Sequence, residues 1–229
     1  MLRFPMKRLA VSMLLAVLVL TVSGCWNPFA PDPVPPVPIP PPEFRDRLTP
    51  EDVLHNLETA YVYKELDEYL DCLSEDFEFY PDEDDVNDPQ NPVDPVWWKL
   101  DERIMHTNMF ADDSNVDNIT LTLTITSIDY FPGVDPEDPL DDTCECIVDV
   151  DLRVNLNNGD GFYASTPSQF DMRIDIDQPN AVPDPDGVLW WEINFWYDLG
   201  ERGGSRADTS SEESIEHISV GMLKNLFRQ

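Results

Sequence analysis

From Cys146 to Leu156 the sequence keeps a two-residue period. Cys146, Val148, Val150, Leu152, Val154 and Leu156 are apolar, and Glu145, Asp149, Asp151, Arg153 and Asn155 stand between or beside them. Only a β-strand sends successive side chains to opposite faces, so this run demands a sheet with one dry face and one wet face. The period recurs. Leu121, Leu123 and Ile125 alternate with Thr120, Thr122, Thr124 and Thr126, and the register shifts near Ser127-Ile128 as a bulge would cause. Met172, Ile174 and Ile176 oppose Asp171, Arg173, Asp175 and Asp177, and Asn158-Gly159-Asp160-Gly161 is a turn by composition. A last strong strand carries Leu189, Trp191, Ile193, Phe195, Tyr197 and Leu199 on one face, with Trp190, Glu192, Asn194, Trp196 and Asp198 on the other. Residues 200–212 hold no core residue beyond Ala207; a short edge strand at 217–220 and a helical turn at 221–227 follow, with Met222, Leu223 and Leu226 as its apolar face.

Ahead of these strands the period is helical. Thr49 is placed to cap, Pro50 to occupy the first helical position and Asp52 to close a capping box, with Leu48 and Val53 at the staple positions. Leu54, Leu57, Ala60 and Tyr61 continue the stripe, so residues 50–64 are expected to be a helix. Leu66, Tyr69, Leu70 and Leu73 mark a short second helix with Cys72 near its stripe. Phe77 and Phe79 then alternate with Glu78 and Tyr80 as a short strand, and residues 81–94 read as an acidic loop. A third helix is expected from Asp94-Pro95 through Trp97, Leu100, Ile104 and Met105 toward Met109. Helices first and antiparallel strands afterwards make an α+β chain.

The run from Thr49 to Phe79, with Asp76-Phe77 opening the strand after the short helix, resembles the start of the NTF2-like, or cystatin-like α+β cone, superfamily. The Trp97 helix and the Trp191–Trp196 closing strand fit the same plan. The resemblance implies N-terminal helices packed on a curved antiparallel sheet, with a pocket between them. Its candidate walls are Tyr61, Trp97, Ile104, Phe110, Trp191, Phe195 and Tyr197, all equally at home as plain core residues. The superfamily includes isomerases, dehydratases and many non-enzymatic binding modules, so the fold leaves the use of the pocket open. His106 is the candidate base, with Asp76 or Asp129 as its partner. The family's own acids and bases match no residues here one by one, and none is carried over.

Residues 1–8 hold three positive charges and no acid, and an apolar run from Leu9 to Leu20 follows, interrupted only by Ser12. That is the layout of a secretory signal, shorter than the roughly 20 residues of a spanning helix. Val22-Ser23-Gly24-Cys25 resembles the lipobox of bacterial lipoproteins, which implies cleavage before Cys25 and lipidation of that residue. Residues 26–42 are dense in proline, a composition that favours an extended spacer. The expected organisation is a signal peptide at 1–24, a lipidated cysteine and proline-rich linker at 25–47, and the α+β domain at 48–229. It places the protein in the cell envelope, lipid-anchored at the outer membrane or cell surface.

A net charge of −32 makes nucleic acid and bare anionic membrane poor partners. With Cys25 on lipid, Cys72, Cys144 and Cys146 remain: either Cys72 bridges one of the other two, or all three are buried thiols. His55, His106 and His217 show no metal-binding spacing with them. Asp135, Glu137, Asp138, Asp141 and Asp142 crowd one loop and Asp184 and Asp186 another; oxygen-rich loops suit calcium, but neither has EF-hand spacing, and a solvated acidic loop accounts for both. Phosphate-loop, dinucleotide and serine-nucleophile patterns are missing, and no cofactor is implied. The expected function is that of a membrane-anchored lipoprotein whose domain binds a small ligand or an envelope protein without catalysis, with homo-oligomers forming through the sheet. The alternatives are an isomerase- or dehydratase-like enzyme and a structural surface protein.

Overall fold

The computed structural model describes residues 40–90, 92–133, 142–174, 190–200 and 215–228. Outside that set lie the leader, Cys25, the proline tract up to residue 39, the acidic residues Asp135, Glu137, Asp138 and Asp141, and the second acidic loop with Asp184 and Asp186. The chain divides into two units, 1–41 and 42–229, and the account below concerns the second.

Helix α1 (Pro50–Tyr63) starts as its sequence dictates: the Thr49 side chain accepts from the Asp52 N–H at 3.2 Å. It ends on Lys64, at φ +58°, and short α2 (Leu66–Asp71) follows. Strand β1 (Leu73–Tyr80) leads into a single helical turn, α3 (Glu83–Val86), inside the stretch expected to be loop. Asp82 caps that turn by accepting from Asp84 N–H, which is why an acid-rich run can coil here.

The third helix starts later than Asp94-Pro95 suggests. Trp97–Trp98 is a two-residue strand, β2, paired with Phe79 and Glu78 of β1, and helix α4 (Lys99–Phe110) begins after it. The Asp101 carboxylate accepts from Trp98 N–H at 3.0 Å, so the true start is fixed by a side chain three residues in. The buried face of α4 is Glu102, Met105, His106, Met109 and Phe110, while Leu100 and Ile104 face solvent. The helical period is intact but rotated from the expected stripe.

Strands β3 (Val116–Phe131), β4 (Thr143–Leu156), β5 (Gly161–Ile174), β6 (Trp191–Asp198) and β7 (Ile215–His217) follow, and α5 (Val220–Leu226) closes the chain. The sheet order is β2-β1-β6-β5-β4-β3, with β7 beside β5. Most neighbours are antiparallel; β1–β6 and β5–β7 are parallel. The protein is α+β, its helices on one face of a curved sheet. The bulge in β3 falls between Ile125 and Ser127, and Cys144 through Val154 point inward at every second residue. Strand β5 begins eleven residues before Met172, because its early inward positions are Ala164, Thr166 and Ser168.

A second bulge decides which β6 residues are inside. Asp171 pairs with Phe195 and Met172 with Ile193, leaving Asn194 extra. Trp191 and Ile193 point inward before it, Trp196 and Asp198 after it. Phe195 and Tyr197 therefore lie on the opposite face, where Tyr197 stacks on Tyr80 at 4.9 Å. The core joins Tyr61, Tyr69, Phe77, Phe79, Trp97, Phe170 and Trp196, all at zero exposure. Each such side chain contributes on the order of 1.5–3 kcal/mol through lost contact with water. Cys72, Cys144 and Cys146 are buried free thiols rather than a bridge and a thiol. The Cys144 and Cys146 sulfurs stay 3.8 Å apart, far beyond the ~2.05 Å of a disulfide.

Candidate functional site

Four elements deliver charged or polar side chains to one point in the dry interior. Helix α4 supplies Glu102 and, one turn on, His106; α2 supplies Tyr69; α5 supplies Lys224; β6 supplies the Trp196 ring. All five are fully buried. The Glu102 carboxylate is satisfied at both ends: Tyr69 Oη donates to Oε2 at 2.7 Å and Lys224 Nζ to Oε1 at 2.8 Å. Lys224 Nζ also lies 3.8 Å from the Trp196 ring centroid and 3.9 Å from that of Phe79. Those two rings meet edge to face, 82° between planes, and form a corner around the ammonium. A desolvated contact of that kind is worth roughly 2 kcal/mol.

Burial lowers the Lys224 pKa, and the Glu102 carboxylate opposes that shift by favouring the charged form. His106 behaves differently. Burial, and then the charge of Lys224, hold its pKa well below the usual histidine value, so the ring is neutral. Nδ1 sits 2.9 Å from the Glu102 carbonyl oxygen, which can only accept, and this assigns the proton to Nδ1 and leaves a lone pair on Nε2. Among the described residues that Nε2 atom has no partner. The ring is held by Tyr69, 3.7 Å away and tilted, and by the edges of Tyr61 and Phe110.

Toward α5 the inner face carries more polar groups. Ser168 lies opposite Asp198 across the β5–β6 ladder, and its Oγ, like Trp196 Nε1, has no partner among the described residues. Asp198 accepts from Gly200 N–H at 3.2 Å and Gly221 N–H at 3.4 Å, and Ser219 Oγ donates to Asp85. Burial raises the pKa of both acids. Gly221 is required by proximity, since a Cβ there would sit 2.9 Å from Pro81 Cβ and from Asp85 Oδ2.

The candidate residues named from sequence fall in different places. His106 is in the centre. Asp76 is on the outer surface, paired with Arg173, and Asp129 is exposed on β3, so neither partners His106; the acid beside the ring is Glu102, whose Oε2 lies 3.4 Å from Nδ1. Of the seven candidate wall residues, Tyr61, Trp97, Phe110 and Trp191 are buried in the core, Ile104 is exposed, and Phe195 and Tyr197 sit on the outer face. Asp142 accepts from Gly133 N–H at 2.9 Å, and among the described residues no cluster of three or more His, Cys, Asp or Glu could hold a metal ion. A surface cleft of about 160 Å³ lies elsewhere, between Arg45, Arg47, Asn56, Asp71 and Trp190. Residues 44–47 are thus held on the domain: Phe44 packs on the core, Asn56 bonds both the N–H and the C=O of Arg45, and Trp191 N–H donates to Arg47 O.

Sequence reading missed Glu102 and Lys224. The usable signal was Glu102-Met105-His106-Met109-Phe110, a complete helical stripe that starts with an acid, and a lone lysine between Leu223 and Leu226.

No protein-family model and no curated protein matches the chain. Solved structures similar to it include a Novosphingobium aromaticivorans protein provisionally named an aromatic ring hydroxylase (18% identity, 68% of this chain and 90% of that one, TM-score 0.45). An NTF2-like protein of unknown function in nutrient uptake from Rhodospirillum rubrum shares 12% identity over 63% of this chain and 92% of that one, TM-score 0.39. A domain of unknown function with a cystatin-like fold from Nostoc punctiforme shares 10% over 65% and 73%, TM-score 0.40. These likenesses are confined to the arrangement of helices and strands. Among the described residues no helix is long and apolar enough to cross a membrane.

Proposed function

We propose that the chain is a cell-envelope lipoprotein, anchored through a lipid on Cys25 and a proline-rich spacer, whose NTF2-like domain is a non-catalytic module for a small ligand. The leader and the Val22–Cys25 motif support the anchor, and the helix-first order over a curved sheet supports the domain assignment. The observation that carries ligand binding is that, among the described residues, several buried polar atoms have no partner, including His106 Nε2 and Trp196 Nε1 on rings next to the Glu102–Lys224 pair and Ser168 Oγ on β5. Polar atoms this deep are paired in the great majority of cases, because an unmet donor or acceptor costs about 1–3 kcal/mol. A ligand that enters the interior would meet them. The reading is non-catalytic because, among the described residues, no titrating group is hydrogen-bonded to His106 Nε2, the atom a base would use.

Two experiments test the two halves. Labelled palmitate should enter the protein in a bacterial host and be lost in Cys25→Ala, while entry into the variant contradicts the anchor. A thermal-shift panel of neutral, anionic and cationic small molecules should contain stabilising ligands; a panel with no response from any class contradicts the binding module.

A further inference from the structure

The corner occupied by Lys224 has the composition of an ammonium receptor. Two aromatic faces set edge to face, Trp196 and Phe79, and one carboxylate, Glu102, surround a single nitrogen at 3.8, 3.9 and 2.8 Å. Such corners select a cation that is apolar on one side and a hydrogen-bond donor on the other. Here the cation comes from the chain itself. Lys224 enters on α5, a helix of seven residues, too short to hold its shape without the contacts it makes. Its first turn is anchored by buried Val220 and Leu223 and by Gly221 N–H on Asp198, whereas its outer end is tied only by contacts at or near solvent such as Asn108 Nδ2 to Phe227 O at 2.8 Å and Arg228 to Asp101 at 2.9 Å. With Lys224 in place, the lone pair of His106 Nε2 and the Trp196 N–H remain unmet.

We propose that the Glu102–Trp196–Phe79 corner is a binding site for a small protonated aliphatic amine, and that Lys224 occupies it as a built-in competitor. The inference rests on the ligand-binding reading above and gives its ligand class. The occupant's size follows from what Lys224→Ala removes: three methylenes beyond Cβ and an ammonium, the dimensions of n-propylammonium. Affinity for the intact protein is reduced by the fraction of molecules in which α5 has withdrawn, so binding should be weak until that helix is displaced.

The probe is n-propylammonium chloride, with propan-1-ol as the neutral isostere and sodium chloride as the ionic-strength control. In the intact protein, hydrogen exchange at the amides of Leu223 and Lys224 should quicken as n-propylammonium rises, and stay unchanged with either control. In Lys224→Ala, n-propylammonium should raise the unfolding midpoint and bind roughly tenfold or more tightly than propan-1-ol, as a cation held by two rings and a carboxylate requires. Unaltered α5 exchange overturns the proposal, whether or not the variant binds, because the ligand then does not compete with Lys224. Equal binding of amine and alcohol by Lys224→Ala overturns it as well. If that variant does not fold, the exchange measurement decides alone. If the wider panel yields only neutral or anionic ligands, the amine assignment fails while the binding module stands.

Discussion

Glu102 and Lys224 are 122 residues apart in the chain and 2.8 Å apart in space, and solvent reaches neither side chain. Each makes the other tolerable in the interior, since an unpaired charge there is strongly disfavoured. The pair joins the last helix to the first half of the fold. Lys224→Met and Glu102→Gln should each lower stability by about 3–5 kcal/mol in urea unfolding, and Glu102→Met with Lys224→Met together by clearly less than the sum. Additive losses would mean that the two side chains do not interact.

The bulge at Asn194 makes a prediction that plain alternation reverses. Trp196→Ala should cost about 3–5 kcal/mol, as for other buried aromatic truncations, and Tyr197→Ala less than half as much. The inverse order would place Tyr197 inside and remove the bulge.

How far the sequence alone reaches is visible in these same residues. Strand β4 was legible because every inward position from Cys146 to Val154 is apolar, and α1 because its cap, proline and stripe agree. Strand β6 was legible as an element and wrong in phase beyond Asn194, because both of its faces carry aromatic residues and alternation cannot reveal an inserted residue. The start of β5 was hidden by small and polar inward residues and by Pro167. In α4, Leu100 and Ile104 outweighed Glu102 on hydrophobicity, since the partner that lets an acid be buried lies at the far end of the chain. His106 was found as a residue, but its surroundings were not.

Acid should act on the protein through His106. Its folded pKa is depressed, so the unfolded chain takes up the proton first, near the ordinary value of about 6.5. The stability contributed by the neutral ring is complete above that pH and is lost as pH falls toward the folded value. His106→Asn keeps a donor to the Glu102 carbonyl and removes the titration. The stability difference between wild type and variant should therefore narrow from pH 7.5 to pH 5; a constant difference would show that the ring does not titrate on unfolding.

Three thiols without a bridge give a simple count. Burial pushes Cys72 up to about 12, and Cys144 is raised by its hydrogen bond with Cys146 and by burial. The folded protein should resist alkylation at Cys72, Cys144 and Cys146, and in denaturant without reductant all three should be modified at once. Recovery of only one modified site would establish a disulfide.

Residues 25–229 contain only Lys64, Lys99 and Lys224, so lysine-labelled protein gives a direct view of the buried corner by NMR. If Lys224 lies over the Trp196 and Phe79 faces, one set of Cε protons should be displaced upfield of the other two by the rings, with slowly exchanging ammonium protons, and vanish in Lys224→Met. Three similar lysines with rapidly exchanging ammonium groups would place Lys224 in solvent and contradict the account of the interior.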